Sequence, residues 1–280
     1  MTYETTPEIL EHLTDKALQV RRDIVTMIYQ AGDGHPAPSL SVADLVTALY
    51  FHIMKIDPAR PKWEDRDRMI LSKGHACPAL YAALARKGYF SPDAFPTLRH
   101  INSILQGHPD VKKTPGIDST AGPLGNGIST GLGMALAGRL QGKDYFTYVI
   151  TGDGELNEGV IWEGLMAAAH YKAGRLIVLV DNNGYQSGGS VMDVSGIMPI
   201  MPKIEPFGWH CQEIDGHNMD AILKAINAAQ AVTDTPSLIV AHTIKGKGVP
   251  AMEGNNIWHK GAPTKEQLEE ALIALGGEAA

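Results

Sequence analysis

The chain has 280 residues, of which 44% are hydrophobic and 20% charged, with a formal net charge of −7. This composition is typical of a soluble globular protein with a sizeable core. The acidic balance disfavours nucleic acid and anionic membrane as partners, because both require a basic surface. No apolar run has the length of a membrane span, and the N-terminus lacks the pattern of a signal peptide, so we expect a cytoplasmic protein. Cys77 and Cys211 lack metal or redox spacing and are expected as buried thiols.

Hydrophobic periodicity in the first half of the chain predicts a mixture of helices and irregular segments. Helices are predicted over 7–30, 42–54, 77–87 and 130–140, a short strand over 67–72, and a loop over 32–41. The segment 91–118 shows little periodicity, and long irregular segments in compact domains are often functional. The glycines of "TGLGMALAGRL" (130–140) would allow that helix to pack closely against its neighbours.

The second half alternates apolar strands with amphipathic helices. Strands are predicted over 145–151, 175–180, 209–214 and 237–243, and helices over 158–171, 218–231 and 264–275. Strands that are apolar on both faces are typical of a parallel sheet covered by helices on both sides. The sequence therefore predicts an α/β fold with a doubly wound, mostly parallel sheet, built as a single domain over 1–280.

Five polar, glycine-containing stretches each follow a predicted strand. They are "SKGH" (72–75), "TGDG" (151–154), "DNNGY" (181–185), "DGHN" (215–218) and "HTIKGKG" (242–248). Ligands of doubly wound sheets bind outside the carboxyl ends of the strands. The convergence of the five stretches at that edge predicts the position of the functional site.

The stretch "VITGDGELNEGVIWEGL" (149–165) places Asp153 in a glycine turn between a strand and a helix. It matches neither the dinucleotide fingerprint nor the P-loop, and an isolated "GDG" is more often a tight turn with a capping aspartate. Asn183 follows 30 residues later, at the end of the next strand. A carboxylate and an amide oxygen are hard ligands suited to Mg²⁺ or Ca²⁺, and such an ion would let Asp153 hold a phosphate group indirectly.

At this point the sequence resembles transketolase. "GDG" followed about thirty residues later by "NN" is similar to the thiamine diphosphate signature, and six further ordered blocks extend the resemblance over nearly the whole chain. These blocks are "GDGHPAPSLSVADL", "LSKGHACPALYAAL", "QGHPD", "STAGPLGNGISTGLGMALA", "FGWHCQEIDGHN" and "HTIKGKGVPAMEGNNIWHKGAP". The pattern is closest to transketolases divided into two chains, of which this would be the N-terminal one. The resemblance implies that the chain has the thiamine diphosphate-binding fold and is its diphosphate-binding domain.

The resemblance implies a role for individual residues. Mg²⁺, or Ca²⁺ or Mn²⁺ in its place, would be held by Asp153, Asn183 and the carbonyl of Tyr185. The implied thiamine diphosphate-binding positions are His75, Gly122, Leu124, Gly152, Asp153, Gly154, Glu158, Asn183 and His259. The implied catalytic residues are His35, His108 and His259. His35 and His259 would handle the proton on the hydroxyl of the breaking bond, and His108 would bind the ketol hydroxyl.

The remaining histidines and lysines carry weaker expectations. Six histidines without a supporting motif are expected to be structural: His12, His52, His100, His170, His210 and His242. His217 could simply cap the next helix. Lys245 and Lys247 have two equally weighted interpretations, namely an approach to an anionic ligand and an ordinary solvated loop.

The chain departs from the pattern in two places, and one role has no candidate. "WHKGAP" exchanges the usual order of Gly and Lys after His259, and Asp33 replaces a small residue. In the family, a glutamate from a pyrimidine-binding domain activates the cofactor, and the sequence ends before such a domain. We therefore expect the partner to be a C-terminal transketolase subunit, in a heterotetramer that acts on sugar phosphates.

Three alternatives stay open. The first is another thiamine diphosphate enzyme, such as a deoxyxylulose phosphate synthase or a dehydrogenase E1 chain, although the blocks "GHPAPSLS" and "QGHPD" favour transketolase. The second is a transketolase for a modified sugar, which the motifs do not distinguish. The third is a non-catalytic module that binds Mg²⁺ and a nucleotide, which leaves the six blocks unexplained.

Overall fold

Five parallel strands form the central sheet of the computed structural model, which describes residues 5–277. Two further short strands form a hairpin beside it. In chain order the strands are β1 (Arg68–Leu71), β2 (Thr147–Gly152), β3 (Leu176–Asn182), β4 (Tyr185–Gln186), β5 (Gly189–Ser190), β6 (His210–Asp215) and β7 (Ser237–His242). The order across the large sheet is β1-β2-β3-β7-β6, and every neighbouring pair is parallel.

Helices cover both faces of this sheet. They are α1 (Pro7–Ala31), α2 (Pro36–Ser41), α3 (Ala43–Ala48), α4 (Cys77–Lys87), α5 (Asn126–Leu140), α6 (Gly159–His170), α7 (Val191–Ser195), α8 (Met201–Ile204), α9 (Met219–Ala231) and α10 (Lys265–Ala274). One hydrophobic core joins the sheet to α1, α3, α4, α9 and α10, and the other joins it to α5 and α6. The predicted doubly wound α/β fold is therefore confirmed.

Local sequence signals set the limits of the longest helix, α1. Thr6 caps its N-terminus by accepting a hydrogen bond from the Ile9 amide, and Pro7 occupies the first turn, where its missing N–H costs nothing. Gly32 ends the helix in the left-handed conformation with φ 70°. The observed limits of α1 differ by one residue from the helix that hydrophobic periodicity predicted over 7–30.

The register of the strands brings the predicted motifs together. Gly152 at the end of β2 pairs with Asp181, and Asn182 at the end of β3 pairs with His242 of β7. Asp153 and Asn183 therefore leave adjacent strands at the same edge of the sheet. This alignment confirms the prediction that the polar stretches share one edge of the sheet.

Several element predictions were wrong. The predicted loop over 32–41 contains the buried helix α2, because prolines at the start of a helix are compatible with its first turn. The predicted helix over 42–54 changes from α3 to a π-helical turn over Leu49–Ile53. The helix predicted from residue 130 begins at Asn126. The strands β4 and β5 and the helices α7 and α8 were missed, since each has five residues or fewer.

The cysteines and the surface add two observations. Cys77 and Cys211 are both free thiols, but only Cys77 is buried; Cys211 is half-buried, so the expectation of two buried thiols was wrong for it. Among residues 5–277, no helix is both long enough and apolar enough to cross a bilayer.

The glycines of α5 allow close packing on β2 and β3, as expected from "TGLGMALAGRL", and they provide a stability test. A Cβ on Gly131 would lie 2.6 Å from Val149 Cγ2 and 3.2 Å from Leu176 Cδ1. Gly131→Ala should therefore lower the free energy of unfolding by about 1–3 kcal/mol through overpacking. Gly133, on the same helix, has open space around its Cα, so Gly133→Ala should raise stability by about 0.5–1 kcal/mol. Urea denaturation measures both, and equal effects of the two substitutions would contradict this packing.

Candidate functional site

A cavity of about 440 Å³ opens at the carboxyl edge of the sheet. All twelve positions that the sequence predicted as catalytic, cofactor-binding or metal-binding line this cavity. They are His35, His75, His108, Gly122, Leu124, Gly152, Asp153, Gly154, Glu158, Asn183, Tyr185 and His259. The structure thus brings together residues spread over 225 positions of sequence, from 35 to 259. The role of each residue stays a prediction.

Asp153 is a buried carboxylate that forms no ion pair within the described part of the chain. Its side chain accepts hydrogen bonds from the amides of Gly154 (2.8 Å) and Gly184 (2.6 Å), and the residue is 1% exposed. No lysine, arginine or histidine among residues 5–277 forms an ion pair with it. Burial, together with the nearby Asp181, raises the pKa of Asp153 to about 6. Burial of an unpaired carboxylate is energetically costly, and a bound cation would remove that cost.

Asn183 presents an oxygen to the same cavity. Its Nδ2 donates to Ser41 Oγ at 3.2 Å and to Asp181 Oδ2 at 3.3 Å, which orients the amide, and its Oδ1 accepts from the Tyr185 amide at 3.1 Å. The described residues contain no cluster of three or more His, Cys, Asp or Glu that could hold a metal. One carboxylate and one amide oxygen are nevertheless the sparse, hard donor set of a Mg²⁺ ion that takes its other ligands from phosphate and water.

Beneath Asn183 lies a buried ion pair that the sequence did not predict. Lys73 Nζ is 2.5 Å from Asp181 Oδ2, and both side chains are almost fully buried. Asp181 also accepts hydrogen bonds from Ser41 and Thr243. Both residues of the pair lie in predicted motifs, "SKGH" and "DNNGY", but nothing in the sequence shows that the lysine reaches across to the next strand but one.

Lys245 supplies a second buried cation to the lining of the cavity. It is 1% exposed, and its ammonium group donates to Asn256 Oδ1 at 2.5 Å and contacts His259 Nδ1 at 3.1 Å. Burial, with the nearby Lys73, lowers the pKa of Lys245 to about 8. The sequence left Lys245 and Lys247 equivalent. The structure separates them, because Lys247 is half-buried and does not line the cavity.

The shape and polar lining of the cavity suit a Mg²⁺–diphosphate group. Asp153 and Lys245 are opposite charges that lack ion-pair partners among the described residues, and the Nε2 of Gln186 is a buried donor without a partner there. A Cβ on Gly154 would lie 2.6 Å from Gln186 Cβ, so a side chain there would crowd this wall. A cation would compensate Asp153, and diphosphate oxygens would accept from Lys245 and Gln186. The residues present therefore fit the implied cofactor.

Glu155 and Glu158 have different environments. Glu155 is buried and accepts hydrogen bonds from Ser72 Oγ and from the amides of Gly125 (2.7 Å) and Gly152 (3.1 Å). All of these hold the glycine turns in place. Glu158, in contrast, is exposed at the rim of the cavity. Neither position supports an acid–base role inside the cavity.

Three histidines from distant parts of the chain form a cluster. The ring centroids of His35, His75 and His259 lie 5.1 to 5.6 Å from one another. Burial is the main cause that lowers their pKa values, to about 4 for His35, about 2 for His75 and about 3 for His259. The pKa of His108 is also lowered, mainly by burial. All four imidazoles are therefore neutral at pH 7 and suited to hydrogen bonding with sugar hydroxyls.

The two departures from the family pattern meet in space. The Oδ2 of Asp33 lies 3.1 Å from Arg99 Nη2 and 3.8 Å from Lys260 Nζ. All three side chains are substantially exposed, so these ion pairs add little stability. A Cβ on Gly107, the residue before His108, would lie 3.0 Å from Arg99 Nη1. The cluster thus links the segments that carry His35, His108 and His259.

His217 lies outside the cavity and stabilises the loop after β7. Its Nε2 accepts a hydrogen bond from the Ile244 amide at 2.8 Å, so its Nδ1–H donates to Asp44 Oδ2 at 2.7 Å. Asp44 also forms a buried ion pair with Arg21. These contacts give His217 a structural role, but not the helix-capping one that the sequence suggested.

The uncompensated charge of Asp153 gives a stability prediction for the cofactor-free chain. Because the folded pKa is raised from 3.8 to about 6, the ionised carboxylate destabilises the folded state increasingly as pH rises from about 4 to about 6. Asp153→Asn removes this titration, so the loss of about 1–3 kcal/mol that the wild type shows between pH 4 and pH 7 should be absent from the variant. Urea denaturation without metal at pH 4 and pH 7 tests this, with the exposed Asp15→Asn as control. An unchanged difference between the two pH values in Asp153→Asn would argue against an uncompensated charge.

The depressed histidine pKa values predict a dependence of stability on acid. The folded chain keeps His35 neutral to about pH 4, whereas the unfolded chain protonates it near 6.5, so stability present above pH 6.5 is lost as pH falls from 6.5 towards 4. His35→Gln should remove part of this loss, about 1 kcal/mol at pH 5 after solvent screening. Denaturation at pH 7 and pH 5 measures it. The exposed His12→Gln should keep the wild-type slope, and an unchanged slope in His35→Gln would refute the assignment.

Comparison with known proteins identifies the family of the chain. Residues 14–279 match the family described as the transketolase thiamine diphosphate binding domain. The chain is 42% identical to the 6-deoxy-6-sulfo-D-fructose transketolase subunit SqwG of Clostridium sp. (strain MSTE9), over 96% of this chain and 98% of that protein. It is also 42% identical to an apulose-4-phosphate transketolase subunit of Phocaeicola vulgatus, over 90% of this chain and 89% of that one.

Solved structures give the same result for the fold. Transketolase from Pichia stipitis, in complex with sedoheptulose-7-phosphate, is 33% identical and superimposes with a TM-score of 0.90 over 95% of this chain. Transketolase from Leishmania mexicana is 31% identical, also with a TM-score of 0.90. The chain spans 41% and 42% of these two proteins. It belongs to the transketolase family and corresponds to the N-terminal, thiamine diphosphate-binding part of these enzymes.

Proposed function

We propose that the chain, as a single domain over 1–280, is the N-terminal subunit of a two-chain transketolase. The complex would transfer a two-carbon ketol unit from a ketose phosphate to an aldose phosphate, using thiamine diphosphate and Mg²⁺. One observation carries the proposal: Asp153 and Lys245 are buried charges of opposite sign that face one cavity without ion-pair partners among the described residues. A diphosphate bound through a divalent cation compensates both charges.

The donor and acceptor atoms of the residues that line the cavity support the proposed binding roles. Asp153, Asn183 and the carbonyl of Tyr185 would hold Mg²⁺, since they are hard oxygen ligands. Lys245 and the Nε2 of Gln186 would donate to diphosphate oxygens. With Mg²⁺ and the cofactor bound, the charge of Asp153 would stabilise the complex, whereas in the cofactor-free chain it destabilises the folded state.

The histidines would act on the sugar. The thiazolium of thiamine diphosphate supplies the electron sink that no side chain provides. His35 and His259, both neutral in this cavity, would hold and move the proton of the hydroxyl at the breaking bond. His108 would bind the ketol hydroxyl, and His75, whose ring centroid lies 5.1 Å from that of His35 and 5.4 Å from that of His259, would contact both the sugar and the diphosphate.

A second polypeptide is part of this proposal. Two relatives that match over nearly their full length are named as subunits of transketolases. The glutamate that activates the cofactor in the family has no candidate in this cavity, because Glu155 is occupied by glycine amides and Glu158 lies on the rim. We infer a C-terminal subunit with a pyrimidine-binding domain that covers the cavity, in a cytoplasmic heterotetramer.

A modified sugar is a second candidate substrate. The two relatives are named for 6-deoxy-6-sulfo-D-fructose and apulose-4-phosphate. Near the histidines of this chain, Arg99 and Lys260 outweigh Asp33 by one positive charge, which suits a phosphate or sulfonate end. Parallel assays with ordinary ketose phosphates, a sulfonated ketose and pyruvate would separate pentose phosphate transketolase, modified-sugar transketolase and pyruvate-dependent enzymes.

The metal assignment predicts the effect of one substitution on the assembled enzyme. In a complex with a co-expressed pyrimidine-domain partner, Asp153→Ala should lower ketol transfer by more than about 100-fold, because Mg²⁺ and the diphosphate lose their anchor. Coupled assays with and without Mg²⁺ measure this loss. The exposed Asp15→Ala should be as active as the wild type.

Two outcomes would count against the proposal. Undiminished activity of Asp153→Ala would remove the metal assignment. Full transketolase turnover by the purified chain without a partner would remove the two-chain assignment.

A further inference from the structure

Lys245 is a buried group to which the proposed function assigns only cofactor binding, yet it also contacts a predicted catalytic histidine. Its ammonium group reaches Asn256 Oδ1 at 2.5 Å and His259 Nδ1 at 3.1 Å, and it lies 5.3 Å from the centre of the Tyr185 ring. It therefore connects the loop after β7 with two separate walls of the cavity. Its contact with the Nδ1 of His259 determines which ring nitrogen of that histidine carries the proton.

The orientation of Asn256 establishes that Lys245 is the donor. The Nδ2 of Asn256 donates to the carbonyl of Ser187 at 3.1 Å, which turns Oδ1 towards Lys245. An amide oxygen only accepts, so Lys245 donates to it. An ammonium group has three N–H donors and no acceptor, so its contact with His259 requires an unprotonated Nδ1.

We propose that Lys245 is a positioning residue that fixes His259 as the tautomer protonated on Nε2. Neutral imidazole carries one proton, and when Nδ1 accepts a hydrogen bond the proton must reside on Nε2. His259 then presents an N–H donor to the cavity instead of a lone pair.

The consequence for catalysis rests on the proposed function. With Nε2 protonated, His259 stabilises a sugar oxygen as it gains negative charge, but it does not accept a proton there. His35 lines the same cavity, and its ring lies 5.6 Å from that of His259. When the donor hydroxyl loses its proton, the O–H bond breaks, its electron pair stays on the oxygen, and the proton forms an N–H bond with His35. Lys245 thus gives different roles to two histidines for which the sequence predicted the same role: His259 donates a hydrogen bond, and His35 accepts the proton.

The tautomer is measured directly in the full chain labelled with [¹⁵N]histidine. Two-bond ¹H–¹⁵N correlation spectra distinguish a protonated ring nitrogen from an unprotonated one, and the His259→Gln spectrum assigns the signals. We expect Nδ1 unprotonated and Nε2 protonated at neutral pH. A protonated Nδ1 would overturn the proposal, whatever the enzymatic activity of the complex.

Three variants test whether Lys245 is the cause. Lys245→Met keeps the length of the side chain but removes the donor, so the signals of His259 should move towards the other tautomer. Lys245→Arg keeps a donor and should retain the wild-type pattern. Lys247→Met is the matched control in the same loop and should leave the pattern unchanged. A wild-type pattern in Lys245→Met would overturn the proposal; should that variant not fold, a lost pattern in Lys245→Arg would overturn it.

Kinetics of the two-chain complex provide the second measurement. At saturating thiamine diphosphate and Mg²⁺, Lys245→Met should lower kcat for ketol transfer by about 100-fold with little change in KM for the donor sugar, and Lys245→Arg should restore part of it. A wild-type kcat of Lys245→Met at saturating thiamine diphosphate would show that Lys245 only binds the cofactor and would overturn the positioning role. A complex without any ketol transfer would remove the proposed function, while the spectra would still decide the tautomer.

Discussion

One buried carboxylate, which forms no ion pair with the described residues, governs the organisation of this site. Asp153 accepts hydrogen bonds from two backbone amides, and no basic side chain among residues 5–277 lies within ion-pair distance of it. The rest of the edge fits around this constraint. Asn183 is oriented by Ser41 and Asp181, so that its oxygen faces the same space. Lys73, whose charge also acts on Asp153, is paired with Asp181.

The cost of this arrangement is local, and the fold tolerates it. Two hydrophobic cores, one on each face of the parallel sheet, hold the strands that end at the site. The parallel register aligns the carboxyl ends of β2, β3 and β7. Motifs that are far apart in sequence therefore lie together at one edge of the sheet. The destabilising charges lie where the chain leaves the sheet, which is where doubly wound folds bind ligands.

The sequence predicted much of this, for identifiable reasons. The proximity of Asp153 and Asn183 followed from strand alternation, and the long helices followed from hydrophobic periodicity. The buried helix α2 was missed because its prolines suggested a loop. The contrast between Lys245 and Lys247 was not predictable, since only the turn after β7 decides which lysine enters the core. The contact between Asp33 and Lys260 required the tertiary fold, because over two hundred residues separate them.

Cofactor affinity is the property most directly connected to Asp153. Calorimetric titration of thiamine diphosphate into the two-chain complex, with and without Mg²⁺, measures it. We predict binding that requires Mg²⁺ in the wild type and becomes weak and Mg²⁺-independent in Asp153→Asn. Equal affinity with and without Mg²⁺ in the wild type would contradict the central claim that this carboxylate anchors a cation-bound diphosphate.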